Sequence, residues 1–279
     1  MNSLVSPTWL MDYLGDLHLA IIDCRFTLGS PRHGKQAYES EHIPGAIYFD
    51  LEKDWSSETG EHGGRHPLPD IDTLAHKLGN AGISRQTRVV LYDDQNGCMA
   101  ARGYWLLRYL GHEQVALLDG GYSAWKRAGG SVTSEIQTSQ PVQYIPNIQT
   151  DMVRNMNDVR KAINNPHVVL VDSRALVRYT GETEPIDKVG GHIPGACQYD
   201  WQSAVDSDGT WKPDSELQNH FSALPEDKEI IVYCGSGVTA CANLFALERA
   251  GFRNARLYPG SWSDWITYSD NPVAKGKEK

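Results

Sequence analysis

At 279 residues the chain is long for one domain and suits two of ordinary size, and 40% apolar with 22% charged residues fits a soluble globular protein with a substantial core. A net charge of −9 argues against a nucleic-acid or anionic-membrane binder. No stretch approaches the ~18 apolar residues that span a bilayer, and the opening MNSLVSPTWLMDYLGD lacks the basic start and unbroken apolar run of a signal peptide.

In chain order the predicted elements run twice. The first half carries LAIIDCRF, EHIPGAIYFDL, RVVLYDD, a helical AARGYWLLRYLGH and VALLDGGYSAWKRAG. Residues 131–150, SVTSEIQTSQPVQYIPNIQT, are polar, proline-containing and aperiodic, which predicts a linker. The second half repeats the pattern as VVLVDSRA, GHIPGACQYDW, EIIVYCGSG, a helical TACANLFALERAGF and ARLYPGSWSDWI. Asp23 to His42 spans 19 residues and Asp172 to His192 spans 20, while Tyr92 to Gly111 spans 19 and Tyr233 to Gly251 spans 18. One domain is therefore written twice, as residues 1–130 and 151–279 on either side of the linker.

Val89-Val90-Leu91-Tyr92 and Ile230-Ile231-Val232-Tyr233 read as strands buried on both faces. Leu106, Leu107 and Leu110, with Leu244, Phe245 and Leu247 in the second copy, predict one apolar face on the helix that follows each strand. Gly111 and Gly251 suit left-handed helix caps. Alternating strands and helices imply an α/β fold in which each copy is a mainly parallel sheet flanked by helices. The tail KGKEK, residues 275–279, reads as frayed and solvated.

Duplication supplies an internal control: shared features serve the fold, and unmatched ones are candidates for function. His42 and His192, both in HIPGA, and the pairs Asp23/Arg25 and Asp172/Arg174 are shared and read as structural. Cys234 is unmatched, because the first copy has Asp93 after the strand and a loop one residue longer. A thiol at the carboxyl end of a buried strand sits where open α/β sheets bind ligands. Gly235 and Gly237 let backbone N–H groups turn inward as an anion nest, and the following helix adds partial positive charge. Both effects favour thiolate over thiol, so Cys234 is the candidate nucleophile, against the alternative of an inert buried cysteine. Arg178 is also unmatched, in the loop RYTGETEPIDKVGG, and suits bidentate holding of a carboxylate or sulfonate, a solvated loop arginine being the alternative. His66, in GGRHPLP where the second copy has GTWKP, could reach a site built around Cys234.

Cys24, Cys98, Cys197, Cys234 and Cys241 are an odd, dispersed set, consistent with reduced thiols and a cytoplasmic location. Cys241 and Cys197 read as core, and Cys98 as a peripheral thiol at most. No zinc-type ligand spacing occurs, so no metal is expected. A phosphatase-type Cys-x5-Arg is ruled out by Ala240.

Two tandem copies with HIPGA, an LLDGG or LYPGS element and CGSGVT only in the second resemble the two-domain rhodanese family, in particular its 3-mercaptopyruvate and thiosulfate sulfurtransferases. The resemblance covers roughly residues 5–268. It implies two tandem rhodanese-like domains, the first non-catalytic, with Cys234 as the catalytic residue carrying sulfur as a persulfide. It further implies that Gly235, Gly237, Val238 and Thr239 cradle that sulfur and Arg178 anchors the donor. Ser236, His66 and an acid, here Glu52 in place of Asp, correspond to a group that assists the mercaptopyruvate type. Gly and Ser after the cysteine, rather than basic residues, favour mercaptopyruvate over thiosulfate, although Ile186 stands where a second arginine is common. The resemblance implies no metal or organic cofactor, a small sulfur donor, and cyanide, a thiol or thioredoxin as acceptor. The alternative of another class is a sulfur carrier or regulatory binding module without turnover.

Overall fold

The apolar runs become strands buried between helices. The computed structural model describes residues 1–278, and among them the first half supplies β1 (Leu4–Val5), β2 (Leu19–Asp23), β3 (Ala46–Tyr48), β4 (Arg88–Tyr92) and β5 (Val115–Leu118). They pair in parallel in the order β1-β5-β4-β2-β3. The second half supplies β6 (Val168–Asp172), β7 (Cys197–Gln198), β8 (Glu229–Tyr233) and β9 (Ala255–Leu257), parallel in the order β7-β6-β8-β9. The central strands β4 and β8 are buried along nearly their whole length, as their apolar runs require. Leu10, Ile21, Val90 and Trp125 anchor one core, and Val159, Leu170, Ile231 and Trp262 the other. Each such side chain contributes about 1.5–3 kcal/mol.

The helices Cys98–Tyr109 and Thr239–Arg249 are covered on more than the one face their leucines predicted. Arg102 and Asn243 are fully buried on them, so these positions need polar partners. Arg102 donates to the Trp55 carbonyl at 3.3 Å, and Asn243 donates to Ser173 Oγ at 2.9 Å and the Tyr199 carbonyl at 2.6 Å. Gly111 and Gly251, at φ 76° and 98°, end the two helices in the left-handed region.

The chain divides into two compact units that exchange short segments. The first comprises Met1–Ser57, Pro69–Gln149 and Asp206–Trp211; the second comprises Glu58–Leu68, Thr150–Val205 and the chain from Lys212. The linker stretch lies along the first unit. Thr133 bridges His42, Val142 N–H donates to the Gly79 carbonyl at 2.9 Å, and Tyr144 is buried against His112. Backbone pairing and one aromatic anchor hold a segment whose sequence has no periodicity.

The shared polar residues build the same frame twice. Arg25 grips Asp23 and donates to the Glu41 carbonyl at 2.6 Å; Arg174 grips Asp172 and donates to the Gly191 carbonyl at 2.6 Å. His42 and His192 are fully buried, bonded through Nδ1 to the Tyr38 and Tyr179 carbonyls and stacked on those rings. They hold the HIPGA turn, as expected. The tail differs from expectation: Gly276 N–H donates to the Thr180 carbonyl at 2.9 Å, and Gly195 N–H donates to the Glu278 carboxylate at 2.8 Å. Lys279 lies outside the described residues. Cys197 is not core either, since β7 is an edge strand and exposes it; Cys98 is buried rather than peripheral, and Cys241 is buried as expected.

Candidate active site

Cys234 follows β8 directly and is 1% exposed. Its backbone is clamped at both polar groups: its N–H donates to Ser261 Oγ at 3.1 Å, and Trp262 N–H donates to its carbonyl at 3.0 Å. Ser261 holds φ at 55°, a left-handed conformation uncommon for a residue with a Cβ, so the clamp is backed by local strain. Gly237, at φ 77°, turns the loop back on itself and donates its N–H to Cys234 Sγ at 3.2 Å. A Cβ at Gly237 would overlap the Pro259 carbonyl. Val238 is buried and Thr239 half-buried at the start of the helix.

The first unit shows what this loop does with an anion. Gly97, at φ 80°, and Gly237 each lie fourteen residues before the cap glycines Gly111 and Gly251. Around Gly97 the Asp93 carboxylate accepts N–H bonds from Gln95 at 2.7 Å, Gly97 at 2.9 Å, Met99 at 2.7 Å and Ala100 at 2.8 Å. Burial pushes the Asp93 carboxyl up, and these amides work against that shift. In the first copy the loop is thus an anion nest filled by the chain's own carboxylate, and in the second the Gly237 N–H points at Cys234 Sγ.

Ser236, His66 and Arg178 belong to the same compact unit as Cys234, and Glu52 to the other. Ser236 and His66 are both buried, with Ser236 Oγ 2.8 Å from His66 Nδ1. His66 reaches it because Glu58–Leu68 packs as part of the second unit. Gly63 N–H donates to Asp264 Oδ1 at 2.7 Å and Arg65 N–H to Ser263 Oγ at 3.1 Å, fixing the segment. Arg178 lies on a single helical turn, Leu176–Tyr179, rather than in open loop. Glu52 belongs to the first unit and is exposed, its backbone N–H donating to Asp50 Oδ1 at 2.9 Å.

Arg178 is held in a charged network. Its Nη2 donates to Glu184 Oε1 at 2.7 Å and to Asp187 Oδ2 at 3.1 Å, while Nε spans both Glu184 oxygens at 3.1 Å. Glu184 also accepts from Arg174 and from the backbone N–H groups of Ile186 and Asp187. Burial pushes the Glu184 carboxyl up, but these bonds, those from Arg178 foremost, outweigh it and leave it lowered. Asp187 shows the opposite balance: burial raises it more than Arg65 and Arg178 lower it, and Glu184 adds to the rise. Arg65, Glu184 and Asp187 went unassigned in the sequence. Arg65 adjoins His66, and both acids lie within nine residues of Arg178, so their sequence signal is proximity to those two residues.

Residues 6–128 and 155–268 match the family described as "Rhodanese-like domain". The chain is 44% identical to the "Probable 3-mercaptopyruvate sulfurtransferase" of Pseudomonas aeruginosa, with 98% of both chains covered. It is 31% identical to "Thiosulfate/3-mercaptopyruvate sulfurtransferase 2" of Arabidopsis thaliana, covering 96% of this chain and 85% of that one. It also superposes on the crystal structure of SseA from Escherichia coli, described as a 3-mercaptopyruvate sulfotransferase, with a TM-score of 0.84 and 32% identity, over 94% of this chain and 100% of that one.

Proposed function

Because the chain belongs to the rhodanese family, we propose that it is a sulfurtransferase carrying sulfur on Cys234 from 3-mercaptopyruvate, with thiosulfate as the second donor, to a thiophilic acceptor. One observation carries this reading: a buried thiol at the end of β8, in an anion-binding loop, beside a bonded Ser236–His66 pair.

The Cys234 thiolate attacks the donor's thiol sulfur while Arg178 holds the donor. An Sγ–S bond forms, the carbon–sulfur bond breaks, and its electron pair leaves on the pyruvate enolate. That carbon needs a proton, which the Ser236–His66 pair can relay as the donor's thiol proton is released. Thiosulfate leaves as sulfite and needs none, so the pair matters for one donor only. Glu52 enters the relay only as the acid that the resemblance assigns, and E52Q tests it. The outer sulfur then lies one bond beyond Sγ, where the Asp93 oxygens lie in the first copy. The equivalents of Met99 and Ala100 there are Thr239 and Ala240, whose N–H groups would meet that charge.

Cyanide, a small thiol or a thioredoxin-like protein attacks the outer sulfur and releases the Cys234 thiolate, giving ping-pong kinetics. The reaction as written uses no metal or organic cofactor. With Asp93 already in its nest, the first copy serves as a non-catalytic domain. Among the described residues no helix is long and apolar enough to cross a membrane; a cytoplasmic location is part of the proposal. Mass spectrometry after incubation with donor should show one added sulfur atom that Cys234→Ser abolishes. An unmodified wild-type protein would overturn the reading, and a persulfide without turnover would favour a carrier.

A further inference from the structure

Gly235 has no positive φ and needs its missing side chain for another reason. A Cβ built there would lie 2.9 Å from Arg65 Nη2 and 3.4 and 3.5 Å from Arg178 Nη2 and Nη1. Two guanidiniums thus converge on one point, a single residue from the nucleophile. They are linked by one carboxylate, since Asp187 pairs with Arg65 Nη1 through Oδ1 and with Arg178 Nη2 through Oδ2. Among the described residues no hydrogen bond engages Arg65 Nη2 or Arg178 Nη1, and Arg65 Nε is buried without a partner. The buried Arg65 Nε is costly to leave unmade, and the two Nη groups aimed at Gly235 remain available to an acceptor.

We propose that Arg65 and Arg178 form one anion clamp above Gly235, and that Arg65 supplies the second guanidinium that holds the donor's carboxylate. The proposal rests on the sulfurtransferase reading and assigns a specificity residue within it. Asp187 and Glu184 alone would leave two carboxylates facing Arg178, so Arg65 also offsets the repulsion that an arriving anion would meet. Two planar forks from different segments fix the plane of a carboxylate, which a single arginine shared with Glu184 does not. Arg65 is 30% exposed along its side chain, so its replacement leaves the core untouched.

The test is single-turnover persulfide formation on the full chain, followed by mass spectrometry as 3-mercaptopyruvate is varied, for wild type, R65Q and R65K. In R65Q the donor concentration at half-maximal rate should rise about ten- to hundredfold, the range for one charge-assisted contact. The maximal rate should stay within about threefold, and Cys234 should still be fully modified at saturating donor. R65K, which keeps the charge but loses the fork, should fall between. An unchanged half-saturation in R65Q overturns the assignment, as does a fall in maximal rate alone, which would make Arg65 a support for the loop. If R65Q is not recovered folded, R65K decides, and wild-type half-saturation overturns the clamp. A wild type that takes up no sulfur would instead remove the sulfurtransferase reading itself.

Discussion

Ser236→Ala separates the two donors. Ser236 is 7% exposed and its Oγ lies 2.8 Å from His66 Nδ1 in a segment held independently by Asp264 and Ser263. Removing the hydroxyl therefore deletes one link of a proton path without releasing the histidine. The stability cost is that of one buried hydrogen bond, about 0.5–1.5 kcal/mol. The rate cost depends on the leaving group. Departure of pyruvate enolate needs a proton, and a positioned acid–base group contributes about 10²–10⁴-fold, so kcat with 3-mercaptopyruvate should fall within that range. Sulfite needs no proton, so kcat with thiosulfate should stay within a few-fold of wild type. Both rates are measured with cyanide in excess, below the onset of unfolding, and the informative quantity is the ratio of the two losses. A parallel fall for both donors would refute the relay and leave Ser236 as a loop-shaping residue.

The two loop glycines should fail differently. G235A places a methyl between the guanidiniums of Arg65 and Arg178 at an ordinary φ, so donor half-saturation should rise with the melting curve unchanged; G237A forces φ 77° on alanine against the Pro259 carbonyl and should cost about 1–2 kcal/mol or more as well as persulfide formation. Arg174→Met should cost about 3–5 kcal/mol in denaturant titration, because it strands the fully buried Asp172. Glu184 contributes stability with a defined pH sign: its folded carboxyl is lowered from the ordinary 4.5, so the contribution is present above that value and lost as pH falls through the lowered one. The difference between wild type and E184Q in urea titrations should therefore be constant above about pH 6 and shrink below 4.5; a gap that widens in acid would contradict the network.

The duplication was legible because strand runs, HIPGA and the cap glycines recur at fixed spacing, and the two parallel sheets built around β4 and β8 follow from them. Cys234, Ser236 and His66 were legible as departures from that repeat or through the family pattern. What stayed hidden was long-range. Glu58–Leu68 joins the second unit through single bonds such as Gly63 to Asp264 and Arg65 to Ser263, which leave no periodic trace. Arg65 therefore carries no sequence signal of its own beside His66. Cys197 was misread because a residue following HIPGA was assumed to point inward, whereas β7 is an edge strand of two residues. The burial of Arg102 and Asn243 leaves no trace in the apolar pattern of their helices for a related reason: both are accommodated by backbone carbonyls distant in sequence.

An isoleucine at position 186, where the family pattern often has a second arginine, weakens the case for a carboxylate clamp on sequence alone. Ile186 is exposed and contributes only its backbone N–H, to Glu184. The adjacent Asp187 binds a guanidinium brought from a distant part of the sequence. A change of residue type at 186 therefore need not change the charge offered to a donor, because the fold delivers Arg65 to the same loop. Preference between donors then turns on what each leaves behind. Both carry anionic groups suited to Arg65 and Arg178, but only an enolate gives the Ser236–His66 pair a proton to deliver. The proposed relay therefore ties Ser236 and His66 to the enolate-releasing donor, and the ratio of the two kcat losses in Ser236→Ala measures that tie.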